Sequence, residues 1–254
     1  MNRLAPTLSY LLLIILTGCA TQSSDSVGRN PRAARINVDL GVNYLNQNEL
    51  PLAQAKLARA LKQDPDLAIA HWSYGLLKTR LGEYAVAERH FLKAISLDPK
   101  DSRAHNNYGA FLCDRGRLDD AEREFLKAVK NPLYTTAETA YTNAGMCAFK
   151  AEDMNRAENH FRRALRANST YAPALYQMAK LTFSGGRYLQ TRAYLQRYSE
   201  VARPGPQSLW LSIQTEARMG NRSQVKDMAR QLKTQFPRSR ETALLLQSEQ
   251  NGIF

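Results

Sequence analysis

Small, aromatic and apolar positions recur along most of this chain at one spacing. The pattern is plainest from His71 to Pro99, HWSYGLLKTRLGEYAVAERHFLKAISLDP. Gly75 is followed twelve residues later by Ala87, then by Phe91, Ala94 and Pro99. Two antiparallel helices approach closely only where small side chains meet at their crossing, so Gly75 and Ala87 mark the contact of a helical hairpin. Phe91 and Ala94 then bury against neighbouring helices, and Pro99 ends the second helix.

The same positions return when the pattern is slid along the chain. The glycine position falls at Gly41, Gly75, Gly109 and Gly145, then at Ala179 and Ile213, in steps of 34, 34, 36, 34 and 34 residues. The small position of the second helix reads Ala53, Ala87, Ala121 and Ala157 before it weakens to Thr191 and Val225. The next apolar position reads Leu57, Phe91, Phe125, Phe161, Leu195 and Ala229. Proline closes repeats at Pro65, Pro99, Pro132 (one residue early) and Pro237, and is missing at Ser169 and Arg203. This recurrence resembles the tetratricopeptide repeat, with one departure: Trp72 stands three residues before the glycine instead of four. The expected fold is all-α, a superhelical solenoid of six repeats at 34–67, 68–101, 102–135, 138–171, 172–205 and 206–239. Thr136 and Ala137 form a two-residue insertion, and the last two repeats are degenerate. Residues 240–254 supply a capping helix and tail, with Ser239 near the N-cap and leucines over the exposed end of repeat six.

Ahead of the repeats, residues 1–18 read as a lipoprotein signal peptide. Arg3 lies in a short n-region, and the apolar run from Leu8 to Leu16 is about half the ~20 residues that a spanning helix needs. The run ends in Leu16-Thr17-Gly18-Cys19, which resembles a bacterial lipobox: small residues fit a peptidase groove, and the Cys19 thiol takes a diacylglycerol group. An ordinary signal peptide with an incidental cysteine is the alternative. Ala20 and Thr21 follow with no aspartate beside the cysteine, which by resemblance to bacterial lipoproteins favours the periplasmic face of the outer membrane. Residues 19–33 are polar and cannot bury enough surface to fold alone, so they are expected to be a lipidated flexible tether spanning roughly 20 Å; the alternative is an extra strand or arm docked on the domain, for which Val27 is the sole anchor.

Little in the chain points to catalysis. His71 and His105 share position 4 of their repeats, and His90 and His160 share position 23. Metal ligands must converge, whereas stacking translates these residues from one repeat to the next, so structural roles and no metal are expected. Asp119, Asp120, Glu122 and Glu124 sit at the start of a second helix, where negative charge complements the dipole. With no glycine-rich phosphate loop, nucleophile elbow or zinc spacing, no enzyme activity, cofactor or small-molecule substrate is expected. Net charge is +12, falling to +11 once Arg3 is removed. A lipid-anchored periplasmic chain meets no nucleic acid, which leaves anionic headgroups, an acidic partner or a scattered solvated surface.

Cys113 and Cys147 lie in the first helices of neighbouring repeats, at positions 12 and 10. An oxidising compartment bridges them if their Cα atoms come within about 7 Å; two buried thiols are the alternative. Positions 2, 5, 9 and 12 of each first helix line the concave face of a solenoid. In repeats one and two they include Val38, Val42, Leu45, Ile69, Trp72 and Leu76, an apolar set read as a partner-binding groove for a helix or extended peptide. The competing reading has them cover the solenoid's end or contact the tether. Repeat three is more polar there, with Arg103, Asn106, Ala110 and Cys113.

One region goes beyond a generic repeat: His105-Asn-Asn-Tyr-Gly-Ala-Phe-Leu-Cys113-Asp-Arg-Gly-Arg117, then Asn131-Pro-Leu-Tyr134 and Asn143-Ala-Gly-Met-Cys147. With the lipobox and the repeat count, the chain resembles the PilF/PilW family of type IV pilus biogenesis lipoproteins over nearly its whole length. That resemblance implies a pilotin: an outer-membrane lipoprotein that binds the secretin subunit of the type IV pilus system and promotes its localisation and multimerisation. Cys19 would be the lipidated residue, and Cys113 with Cys147 the paired cysteines. A scaffold for peptidoglycan enzymes or for outer-membrane protein assembly would share the lipid, tether and repeats.

Overall fold

The computed structural model describes residues 29–252 and contains, among them, thirteen α-helices and no strand. Six hairpins follow in order: α1 (Pro31–Asn46) with α2 (Leu50–Gln63), α3 (Ala68–Arg80) with α4 (Tyr84–Leu97), and α5 (Ser102–Asp114) with α6 (Leu118–Lys130). Then come α7 (Ala137–Lys150) with α8 (Met154–Ala167), α9 (Ala172–Ser184) with α10 (Tyr188–Val201), and α11 (Pro206–Arg218) with α12 (Arg222–Gln235). A single helix, α13 (Arg240–Gln250), ends the array. The molecule is an all-α tetratricopeptide repeat solenoid.

Each hairpin turns at the same register position. Position 15 holds Gly82, Gly116, Gly186 and Gly220, all with φ between 69° and 76°, and Asn48 and Glu152 take that left-handed conformation in repeats one and four. The turn satisfies the last carbonyls of the first helix; in repeat two, the Gly82 amide donates to the Thr79 carbonyl (3.1 Å) and the Glu83 amide to the Lys78 carbonyl (2.9 Å).

Inside each hairpin the crossing is filled by positions 8 and 24. Gly75, Gly109 and Gly145 face Phe91, Phe125 and Phe161, whose rings are fully buried. Burying each ring contributes about 1.5–3 kcal/mol. A methyl group added to Gly145 would lie 2.5 Å from the Phe161 ring, so only glycine fits.

Two boundaries differ from the sequence reading. The described fold already includes residues 29–33, ahead of the expected start at 34. Asn30 caps α1 by accepting from the Ala33 amide (3.0 Å), Pro31 opens the helix, and Arg29 donates to Asp64 (2.6 Å), so residues 29–33 are not tether. The two extra residues lie within a six-residue loop at 131–136, where the other repeats are joined by four, and Ala137 is already helical. At the far end Ser239 caps α13, accepting from the Thr242 amide (3.1 Å), and Leu245 is fully buried against repeat six while Leu246 points outward. No helix among the described residues is long and apolar enough to cross a membrane, and the leader, Cys19 and the tether up to residue 28 lie outside the described residues.

Candidate partner-binding surface

The six residues read as an apolar groove do not form an open one. Val38 and Leu45 are buried in the core that joins repeats one and two, with Leu57 and Leu77. Trp72 is 8% exposed. Its indole N–H donates to Asp101 (3.2 Å), and the Arg103 guanidinium covers the ring at 5.7 Å, so repeat three closes over it. Val42, Ile69 and Leu76 are half-buried against the same cores. Register position sets the face on which a side chain starts; the neighbouring repeat decides how much of it water can reach.

The same register positions are more accessible in the later repeats, which the sequence reading did not follow. Met146 in α7 is 44% exposed, while Phe149 in α7, Tyr176 and Phe183 in α9 and Trp210 in α11 are half-buried against the cores of their repeats, so this apolar and aromatic strip of the inner face is open chiefly at Met146. The Lys180 ammonium lies 5.8 Å from the Phe149 ring centre, which ties α9 to α7 across this strip. Reading positions 5, 9 and 12 through repeats four to six would have found it.

The polar pairs lie within and between hairpins. Positions 4 and 23 face each other across a hairpin, so His71 meets His90 with 3.0 Å between their Nδ1 atoms, and the expectation that the histidines stay apart fails for this pair. His71 Nε2–H donates to the Pro65 carbonyl (2.8 Å), which leaves His71 Nδ1 to accept from His90. Burial holds both histidines below the usual range, that of His90 at about 4 with His71 adding to the effect. In repeat three, Glu124 replaces the second histidine. His105 then has an acceptor on each ring nitrogen, Glu124 at 2.6 Å and the Pro99 carbonyl at 3.1 Å. Burial opposes the charge, but these bonds outweigh it, so His105 is raised and Glu124 lowered: the pair is ionised. His160 reaches back to Glu122 of repeat three (2.8 Å), where Arg156 also bonds. Among the described residues, no group of three or more His, Cys, Asp or Glu side chains is placed to hold a metal ion.

Cys113 of α5 and Cys147 of α7 are joined by a disulfide, with Cα atoms 5.8 Å apart. It fastens the first helices of repeats three and four on either side of the long 131–136 loop. A cleft of about 560 Å³ between α10, α11 and α12 is polar, but its charges are engaged with each other. Glu216 accepts from Arg192 Nε (2.7 Å) and Asn221 (2.8 Å), and these bonds outweigh burial to hold its carboxyl below the usual range.

Helical hairpins on one register, stacked into a solenoid, define a tetratricopeptide repeat protein. Sequence profiles described as tetratricopeptide repeat match residues 38–101, 114–173 and 90–123. Along its length the chain is 27% identical to the type IV pilus assembly protein PilF of Pseudomonas aeruginosa over 238 residues, 92% of this chain and 94% of that one. It is similar to the solved structure of PilW, described as a widely conserved type IV pilus biogenesis factor, with a TM-score of 0.75 and 28% identity over 85% of this chain and all of that one. The P. aeruginosa PilF structure matches with a TM-score of 0.72 and 26% identity over 85% of this chain and 97% of that one. The chain belongs to the PilF/PilW family of type IV pilus biogenesis proteins.

Proposed function

We propose that this protein is an outer-membrane lipoprotein, acylated at Cys19, that binds the secretin subunit of a type IV pilus system and promotes its localisation and multimerisation. The observation that carries this reading is likeness to PilF at both the sequence and the structural level over nearly the whole length of both chains. The Leu16–Cys19 motif supports the anchor, and the repeat architecture supports a role in binding other proteins without catalysis. The mechanism couples two attachments. Lipid holds the protein at the target membrane while the inner strip of repeats four to six holds a segment of the secretin, which raises the local concentration of subunits where they assemble.

A crosslinked pull-down of the mature protein from its own envelope, in wild type and Met146→Glu, tests this. A secretin subunit should dominate the captured partners and fall about tenfold in the variant, the loss expected when a charge enters an apolar contact. Capture dominated by peptidoglycan enzymes would leave the architecture standing and replace the secretin with the scaffold function. Undiminished secretin capture by folded Met146→Glu would move the contact off the inner strip.

A further inference from the structure

Positions 3 and 7 of the first helix and 19 and 23 of the second form the side on which each repeat leans against the one before it. In the interior positions 3 and 7 are mostly buried, whereas position 19 meets the preceding repeat at Arg156 but stays exposed at Gln190 and Gln224. Tyr108, at position 7, packs its ring 5.8 Å from that of Phe91. Arg156, at position 19, bonds Asp119 and Glu122 at 3.0 Å, and His160, at position 23, bonds Glu122 at 2.8 Å. No repeat stands before repeat one among the described residues. Its residues there are Ile36, Leu40, Leu52 and Lys56, and the three apolar ones are 53%, 38% and 45% exposed. At the other end α13 seats Leu245 on repeat six and Lys233 pairs with Glu249 at 2.8 Å, which leaves Leu246 as the one exposed large apolar side chain of that helix.

Cations flank the three exposed side chains. Arg32 lies one helical turn before Ile36, Lys56 one turn after Leu52, and Arg59 beside Lys56 on the same face. None of the three cations forms an ion pair among the described residues. Helix α2 carries three basic residues and no acidic one, and Asp39 is the acidic side chain of α1. Apolar side chains ringed by free cations suit a bilayer interface, where headgroup phosphates meet the charges and the upper acyl region meets the rest.

The position of the anchor favours this occupant over a protein helix. Fully extended, the ten residues from Cys19 to Arg29 reach at most about 35 Å. Repeats stacked up to about 10 Å apart put α13 on the order of 50 Å from α1, so the open end is the one held near the lipid. We propose that the open face of repeat one docks on an anionic lipid surface, orienting the solenoid so that repeats four to six project away from the membrane. This inference rests on acylation of Cys19 for its geometry.

A chain beginning at Ala20 keeps every core cluster, since these lie between Ala34 and Leu245, and it lacks the acyl site and the apolar leader. It should float with vesicles of phosphatidylglycerol and phosphatidylethanolamine, not with phosphatidylcholine alone, and be released by high salt. Leu40→Glu with Leu52→Glu, or Lys56→Glu with Arg59→Glu, should lower the floated fraction about fivefold at unchanged helix content and melting temperature. No flotation on anionic vesicles, or equal flotation of these variants, overturns the proposal. Variants that float normally but lose a copurifying protein assign the face to that protein and likewise overturn it. The mass of the mature protein from cells tests the anchor separately: an unmodified Cys19 with flotation intact removes the lipoprotein reading and leaves the docking face, whereas an acylated Cys19 without flotation does the reverse.

Discussion

Repeats two to four and repeats five and six fill the same crossing in different ways. In the first group a glycine at position 8 faces a phenylalanine at position 24, as at Gly109 and Phe125. In repeat five the pair is Ala179 and Leu195, and in repeat six it is inverted to Ile213 and Ala229, with all four residues buried. Repeat five also puts Thr191 where the earlier repeats have an alanine, and its buried hydroxyl pairs with that of Thr182 at 3.0 Å. A profile of preferred residues scores these repeats as degenerate. What the fold requires, however, is a constant volume at the crossing, and either helix can supply it.

The comparison breaks most sharply where the phenylalanines lie. Phe161→Ala should cost about 3–5 kcal/mol, because the facing Gly145 has no side chain with which to refill the space; chemical denaturation gives the value, and a loss under about 1 kcal/mol would mean the crossing collapses freely. The inverted pair sharpens it. Ile213→Gly should cost about 3–5 kcal/mol and Ala229→Phe about 1–3 kcal/mol, while the double variant restores the arrangement of repeats two to four. Recovery of at least about 1 kcal/mol relative to additivity is expected from the double-mutant cycle, and strict additivity would refute volume exchange.

A smaller effect separates the repeats by charge. The facing positions 4 and 23 are polar in repeats two and three, whereas in repeat six they are Leu209 and Met228. His71 and His90 are lowered, so the folded state takes up fewer protons than the unfolded chain and loses stability as pH falls from about 6.5 towards the folded values. His105 is raised, so its contribution is fully present below about pH 6.5 and fades as pH rises through its folded value. Lowered Glu124 keeps its own contribution above about pH 4.5 and loses it as pH falls through the folded value. Acidification from pH 7.5 to 5.5 should therefore weaken α3 and α4 by about 1 kcal/mol and spare α5 and α6. Hydrogen exchange corrected for intrinsic rates reads this, and a His90→Asn variant should flatten the response of repeat two.

The register of the repeats, their number and the final cap were legible because each depends on contacts inside one hairpin or on a local signal such as Ser239. The positions of Gly41, Gly75, Gly109 and Gly145 carry that information along the chain. The binding surface was not legible in the same way. Trp72 and Met146 both stand at positions assigned to the concave face, yet Asp101, which caps α5, and Arg103 of the next repeat cover the first, while the second stays open.

The sequence by itself determined that this protein is a stack of helical hairpins, because a 34-residue period of small and large side chains can be satisfied only by helices crossing at fixed points. Tertiary structure decided which apolar side chains remain accessible, which histidines carry charge, and that among the described residues repeat one ends without a capping helix while repeat six carries one. Those outcomes depend on what the adjacent repeat places opposite a side chain, and a periodic pattern reports a position without reporting its neighbour.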